Sequence, residues 1–274
     1  MPFRKLNDQG FIDMENDKRY GNADSKTNVY VWDESYKMIS IVTKKALNEF
    51  MKEELTKNLH KIIGLDCEAG IPPEEVAAEK AKYGFAISRN LKVSSLQLAM
   101  PGYLYFIDIQ VLSEDEKMDE EAWKKFFQTL FHPERTIVGF SLINDFRFIN
   151  ARFPFLRELM RESKKMLCLS QLSEAIRKNG EKQTFEIIFE NRHPSNNSLA
   201  ALSYHILGLE MDKYFQKKNW THRPLSPKKK LYAVTDALVV VLLKDEIQYR
   251  LELKMDADKA FEIMEKGILK NLKF

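Results

Sequence analysis

The stretch that decides the fold is KIIGLDCE, Lys61–Glu68, in which a short apolar run ends in acidic residues. Such a run is typical of a buried central strand. Side chains alternate along a strand, so Asp66 and Glu68 are predicted to share one face, with Cys67 packed on the other. Two carboxylates there are costly unless water or a metal ion solvates them. By itself the motif also fits a strand that ends at the surface.

The rest of the chain alternates between strand and helix patterns. Val93–Met100 and Tyr103–Ile109 are predicted to form an antiparallel hairpin, because Pro101-Gly102 between them is a tight-turn signal. The other predicted strands are Val29–Trp32, Thr136–Phe140 and Leu167–Leu169, and predicted helices begin near Lys44, Asp119, Asn144, Gln171, Ser198 and Lys228. This order predicts an α/β layered domain with a mixed sheet.

Composition limits the class of protein. Hydrophobic residues make up 44% and charged residues 30%, which argues against disorder of the whole chain. The polar residues 1–27 predict an N-terminal arm, followed by one domain over residues 28–274. The sequence shows no signal-peptide pattern and no run approaching the ~20 apolar residues of a membrane span. Its two cysteines are predicted to be reduced core thiols, with one disulfide as the alternative. We therefore expect an intracellular protein, cytoplasmic or nuclear, without a membrane partner.

Further acidic residues lie beside predicted core elements. Asp145 follows the strand Thr136–Phe140 near a helix start, where a first-turn or capping role is the alternative. Tyr232 and Asp236 share one helix face, where a structural hydrogen bond is the alternative. Together with the acidic pair of the central strand, these carboxylates suit oxygen-preferring cations such as Mg²⁺ or Mn²⁺. Two such ions ~3.5–4 Å apart can stabilise the attacking and leaving oxygens of a phosphodiester displacement.

The acidic motifs occur in a family's order. Asp66-x-Glu68, then Asp145, then Tyr232-x-x-x-Asp236 resembles the three motifs of the DEDDy exonucleases. That group includes ribonuclease D, the Werner-type exonuclease domain and the Nibbler-like exonucleases of small-RNA pathways. The resemblance covers about Val29 to Tyr249 and includes Leu207-Gly208-Leu209, Asp212-Lys213, Trp220, Arg223-Pro224-Leu225-Ser226, Tyr232-Ala233 and Asp236-Ala237. Leu231 stands where the histidine variant of the superfamily has its histidine, which favours the tyrosine subtype.

The resemblance implies an RNase H-like α/β fold, a central mixed five-stranded sheet with helices on both faces. It implies a 3′→5′ exonuclease that releases nucleoside 5′-monophosphates from the 3′ end of single-stranded nucleic acid, with RNA favoured over DNA. Two divalent cations, Mg²⁺ or Mn²⁺, would be bound by Asp66, Glu68, Asp145 and Asp236, and Tyr232 would help to orient the attacking water. Two alternatives are a catalytically weak nucleic-acid- or protein-binding module of the same fold and a structural metal domain. The structural domain is disfavoured because carboxylate sites without Cys or His rarely form closed cages.

A basic segment precedes the last motif, although the net charge of the chain is only +3. Basic groups track phosphates and aromatic side chains stack on bases, so this segment is predicted to bind nucleic acid. The alternative is a solvated charged face with core aromatics, and Trp220 is predicted to be a packing anchor. The predicted nucleic-acid-binding residues are Lys213, Lys217, Lys218, Arg223, Lys228, Lys229 and Lys230.

Overall fold

The computed structural model describes residues 36–83, 91–162, 165–179, 182–190, 194 and 196–270. The predicted arm over residues 1–27 and the predicted strand Val29–Trp32 lie outside this part of the chain. The described strands are β1 Lys37–Ile41, β2 Ile63–Gly70, β3 Lys92–Met100, β4 Tyr103–Ile107, β5 Ile137–Gly139 and β6 Met166–Cys168. They form one sheet in the order β1-β4-β3-β2-β5-β6.

Helices connect and cover these strands. They are α1 Lys44–Phe50, α2 Pro73–Tyr83, α3 Ile109–Glu114, α4 Glu120–Leu130, α5 Leu142–Arg152, α6 Leu156–Glu162, α7 Leu169–Asn179, α8 Lys182–Phe189, α9 Leu199–Leu202, α10 Pro227–Glu252 and α11 Ala257–Glu265. The π-helical segments Met51–Thr56 and Ser203–Leu207 continue α1 and α9. None of the helices in the described residues combines the length and apolarity needed to cross a bilayer.

The sheet is mixed, as predicted. Strands β3 and β4 form the expected antiparallel hairpin, β2 is antiparallel to β3, and β2, β5 and β6 run parallel. The expected strand number of five is wrong, because the described chain forms six strands. The additional strand is β1, which pairs in parallel with β4 at the edge of the sheet. Its residues are exposed from Lys37 to Ser40, so it lacks the buried alternation by which a strand is recognised in a sequence.

The two faces of β2 pack against different helices. Ile63, Leu65 and Cys67 belong to one core with aromatic residues of α4 and α5, such as Phe126 and Phe146. The intervening residues of β2 face α10, which also packs on β3, β4 and β5. Both cysteines are free and buried, which confirms the predicted core thiols. The alternation predicted for Lys61–Glu68 is therefore present, and it directs the acidic pair toward α10.

A glycine sets the distance between β2 and α10. A Cβ atom added at Gly64 would lie 2.1 Å from the carbonyl oxygen of Ala237 and 2.6 Å from a methyl group of Val241. Only a residue without a side chain allows this approach. Because Ala237 is the neighbour of Asp236, the same contact brings the last acidic motif close to the acidic end of β2.

Candidate active site

Three acidic side chains from β2 and α10 meet at one place. Asp66, Glu68 and Asp236 each offer a carboxylate oxygen, and these oxygens lie within 4.8 Å of one another. All three residues are partly exposed, so the group is open to solvent rather than sealed in the core. The register of β2 against β3 shifts between Glu68 and Ala69, next to the acidic pair. Such bulges re-aim side chains and are frequent beside active sites.

Tyr232 and Asp236 lie one turn apart on α10. The tyrosine hydroxyl lies close enough to the Asp236 carboxylate to lower the pKa of that acid, against the larger effect of burial. The ring of Tyr232 packs between Phe215 and Trp220, at centroid distances of 5.8 and 6.1 Å. Trp220 is buried, which confirms its predicted role as a packing anchor. The phenol is therefore held by its ring, with its hydroxyl at the acidic group.

Asp145 approaches from the other side of β2. It lies in the first turn of α5 and is only 7% exposed. Its Oδ1 is 3.4 Å from Sγ of Cys67, and its Oδ2 is buried without a hydrogen-bond partner in the described residues. The charges of Asp66 and Asp236 raise the pKa of Asp145, but its oxygens do not belong to the set within 4.8 Å. The four predicted carboxylates are therefore neighbours, with Asp145 set apart from the other three.

Burial raises the pKa of every acid in this group, and the charge of Asp66 raises it further in the other three. Burial raises the pKa of Asp66 to about 7, although the Cys67 backbone N–H bonds to its charged form. The pKa values of Glu68, Asp145 and Asp236 lie well above their ordinary range because of burial and the charge of Asp66. The charged forms of these four acids are therefore unfavourable in the absence of a cation, and a bound divalent cation would stabilise them.

The residues fit divalent cations. Carboxylate oxygens are the ligands that Mg²⁺ and Mn²⁺ prefer, and the acidic group supplies several within a few ångströms. The unpartnered Oδ2 of Asp145 is a second observation, since a buried carboxylate oxygen without a donor is rare in folded proteins. Asp66, Glu68, Asp236 and Asp145 are the residues that could hold the ions.

In the exposed part of the basic segment, a lysine side chain lies over an aromatic ring. Nζ of Lys218 lies 4.3 Å from the ring centroid of Tyr214, and both residues are exposed. Lys213 and Lys217 are exposed as well. Exposed cations beside an exposed ring suit phosphate contact and base stacking.

The charge of Lys229 acts on the acidic group, where it lowers the pKa of Glu68. It is half-buried, and its Nζ donates to the Asn219 carbonyl at 2.7 Å. Burial and the charges of Arg223 and Lys218 lower its pKa, while Glu68 acts in the opposite direction. On α10, Lys229 precedes Tyr232 by three residues and therefore shares its side of the helix. Its neighbour Lys228 is also half-buried.

Arg223 and Lys230 make contacts within the protein instead. The Arg223 guanidinium pairs with the buried Asp108 carboxylate at 2.8 Å and donates to the carbonyls of Trp220 and Ser94. Nζ of Lys230 lies 3.4 Å from Oγ of Ser40, on β1. These two predicted nucleic-acid-binding residues thus tie the basic segment to the sheet, so we leave them out of the candidate binding surface.

Sequence reasoning missed the roles that three residues have in building the site. Asp108, which the sequence analysis placed inside the predicted strand Tyr103–Ile109, instead caps α3 and anchors Arg223. Gly64 allows α10 to pack closely against β2, and a single glycine in an apolar run does not indicate this role. Cys67 was predicted to pack in the core, and it does, but its thiol also reaches Asp145.

Fold and site together define a class of nuclease, and sequence comparison gives the family. The profile described as 3′-5′ exonuclease matches residues 76–252, so the chain belongs to that family. The matched residues include Asp145, Tyr232 and Asp236, whereas Asp66 and Glu68 precede them.

A relative known by sequence and two solved structures are similar to the chain. The chain is 31% identical to "Exonuclease mut-7" of Caenorhabditis elegans over 182 residues, 65% of this chain and 19% of the relative. It thus spans about a fifth of that relative's length. The Aedes aegypti Nibbler EXO domain superposes with a TM-score of 0.66 at 18% identity, over 86% of this chain and 99% of that chain. Escherichia coli RNase D superposes with a TM-score of 0.54 at 17% identity, over 85% and 51%. These neighbours establish the RNase H-like fold.

Proposed function

We propose that the chain is a metal-dependent exonuclease that hydrolyses the terminal phosphodiester bond at the 3′ end of single-stranded nucleic acid. The product is a nucleoside 5′-monophosphate. One observation carries this proposal: the oxygens of Asp66, Glu68 and Asp236, from distant parts of the chain, lie within 4.8 Å of one another. We further propose that residues 28–274 act as a single exonuclease domain.

The proposed chemistry divides between the ions and the protein. Two Mg²⁺ or Mn²⁺ ions, when bound, activate the attacking water and stabilise the departing 3′ oxygen. Asp66, Glu68, Asp145 and Asp236 would hold the ions, with the buried Oδ2 of Asp145 available as one of the ligand oxygens. Tyr232 would orient the attacking water through its hydroxyl, which acts on the Asp236 carboxylate beside it.

The substrate strand would run over the basic side of the site. Lys213, Lys217, Lys218 and Lys228 would contact backbone phosphates, and exposed Tyr214 would stack on a base. Lys229, half-buried near Glu68, would contact a phosphate close to the scissile bond. RNA is the proposed substrate because the RNase D neighbour is described as an exoribonuclease involved in structured RNA processing.

A trimming assay tests the proposal. Matched single-stranded RNA and DNA oligonucleotides, labelled at the 3′ end, are incubated with the protein and Mg²⁺ or Mn²⁺, and the products are separated. We expect labelled nucleoside 5′-monophosphate to appear first, faster from RNA than from DNA, and EDTA to abolish its release.

Two variants on one helix control this assay. Asp236→Ala removes a proposed ligand and should abolish cleavage. Asp245→Ala changes an exposed aspartate further along α10, paired with Lys244, and should leave cleavage unchanged. Equal activity of purified Asp236→Ala and wild-type protein would refute the proposal.

One observation favours a second candidate function. Asp145 lies outside the tight oxygen group, so only three of the four proposed ligands are close together in the absence of a cation. The chain would then be a nucleic-acid- or protein-binding module with weak catalysis. Oligonucleotide binding without metal-dependent release of monophosphate would favour this candidate.

A further inference from the structure

Cys67 lies between Asp66 and Glu68 on β2, and its thiol contacts a third acid of the proposed site, Asp145. Strand alternation places its side chain on the face opposite to Asp66 and Glu68, in the core shared with α4 and α5. A thiol in that position would ordinarily only fill space. Here it meets the first turn of α5, where Asp145 lies.

The contact involves one oxygen of the carboxylate. Sγ of Cys67 lies 3.4 Å from Oδ1 of Asp145 and 3.9 Å from the backbone oxygen of the same residue. Oδ2 is buried and has no hydrogen-bond partner in the described residues. An S–H donor to one oxygen, although weak, favours one orientation of the carboxylate and leaves the other oxygen for a different partner.

The start of α5 is itself held by the first turn of α7. Ser141 precedes the helix in a left-handed conformation, and its side chain makes no capping hydrogen bond. Its backbone N–H instead donates to Oγ of Ser170, 3.2 Å away. The backbone of Asp145 is thus positioned by this tether, and its side chain by Cys67.

We propose that Cys67 is a positioning residue for the metal site: its thiol donates to Oδ1 of Asp145 and leaves Oδ2 as the oxygen that binds a cation. This inference rests on the proposed function, because it assigns Asp145 as a metal ligand. Groups that hold a ligand typically change metal affinity by ~10–100-fold when they are removed.

The test separates hydrogen bonding from packing. Cys67→Ser keeps a donor but loses apolar volume, whereas Cys67→Val keeps apolar volume but has no donor. Mn²⁺ binding is measured by titration without substrate, and trimming of single-stranded RNA is measured as a function of Mn²⁺ concentration. We expect Cys67→Val to weaken Mn²⁺ binding by about tenfold and Cys67→Ser to stay within about threefold of wild type.

The reverse order, with Cys67→Val close to wild type and Cys67→Ser impaired, would show a packing role and overturn the inference. Ile41→Val, a buried change on the distant β1, controls for a general loss of stability and should leave Mn²⁺ affinity unchanged. Wild-type protein that binds no Mn²⁺ would refute the positioning role and the proposed function together. A wild type that binds and trims while both Cys67 variants match it would refute the positioning role alone.

Discussion

Asp66 is the residue whose charge reaches every other acid of the site. It contributes to the raised pKa of Glu68, Asp145 and Asp236. The sequence places each of these acids next to a core element, and alternation along β2 predicts that two share a face. It does not disclose their mutual distances, which depend on how closely α10 and α5 approach the strand.

The raised pKa of Asp66 predicts how stability depends on pH without metal. Its folded pKa of about 7 exceeds the ~3.9 of an unfolded aspartate. The unfolded state therefore ionises first, and metal-free protein loses stability as pH rises from about 4 to 7. We expect the melting temperature in EDTA to fall across the upper part of this window.

Asp66→Asn is the control for this dependence, since the variant cannot ionise and should lose the corresponding part of the decline. Mn²⁺ added to wild-type protein near pH 8 should restore the melting temperature by stabilising the charged acids. Melting profiles of wild type and Asp66→Asn that run parallel across this pH range in EDTA would contradict the account.

At the scale of elements, α10 organises the site. It carries Lys229, Tyr232 and Asp236 on one side and packs against β2 where Gly64 leaves room for its backbone. The sequence predicts this helix from about Lys228, and the structure begins it at Pro227, with Ser226 as its N-cap. The packing of α10 on β2 could not be predicted, because a single glycine in an apolar run does not indicate which helix packs against it.

Gly64→Ala should damage both fold and site. The new methyl group would collide with the backbone oxygen of Ala237, which cannot move independently of the helix. We expect a loss of about 1–3 kcal/mol in the free energy of unfolding, typical of overpacking, with reduced Mn²⁺ affinity as Asp236 is displaced. Chemical denaturation and metal titration measure the two effects.

Gly208→Ala is the matched control. A Cβ there meets nothing within 4 Å, and only the left-handed backbone, with φ of +70°, disfavours alanine. This change should cost about 1 kcal/mol and leave Mn²⁺ affinity unaltered. If both alanine variants bind Mn²⁺ like wild type, Gly64 does not position Asp236.

At the scale of the whole molecule, the order of the motifs along the chain indicates the family, whereas the overall composition does not. Charge and hydrophobic content fit many globular proteins, whereas the succession of acidic motifs predicted the family that the profile match confirms. The basic segment illustrates the limit of sequence reasoning. Its members are equivalent in the sequence, yet Arg223 is bonded to Asp108 while Lys218 stays exposed beside Tyr214.

Adjacent lysines of α10 should therefore differ in nucleic-acid binding. Lys229→Gln removes a cation near Glu68 and should weaken RNA binding while lowering the slope of log affinity against log salt by about 0.7. Lys230→Gln removes the same charge, but from a side chain directed at Ser40, and should change neither quantity. Fluorescence anisotropy at several salt concentrations measures both. Equal slopes for the two variants would contradict the proposed path of the strand.

The most direct test of the account is the location of bound cations. Crystals grown with Mn²⁺ and a nucleoside 5′-monophosphate would show each ion by anomalous scattering. We predict two peaks ~3.5–4 Å apart, with Asp66, Glu68 and Asp236 as ligands and Oδ2 of Asp145 bound to one of them. Anomalous density away from these residues, or none at saturating Mn²⁺, would contradict the claim that the acids form a two-metal site.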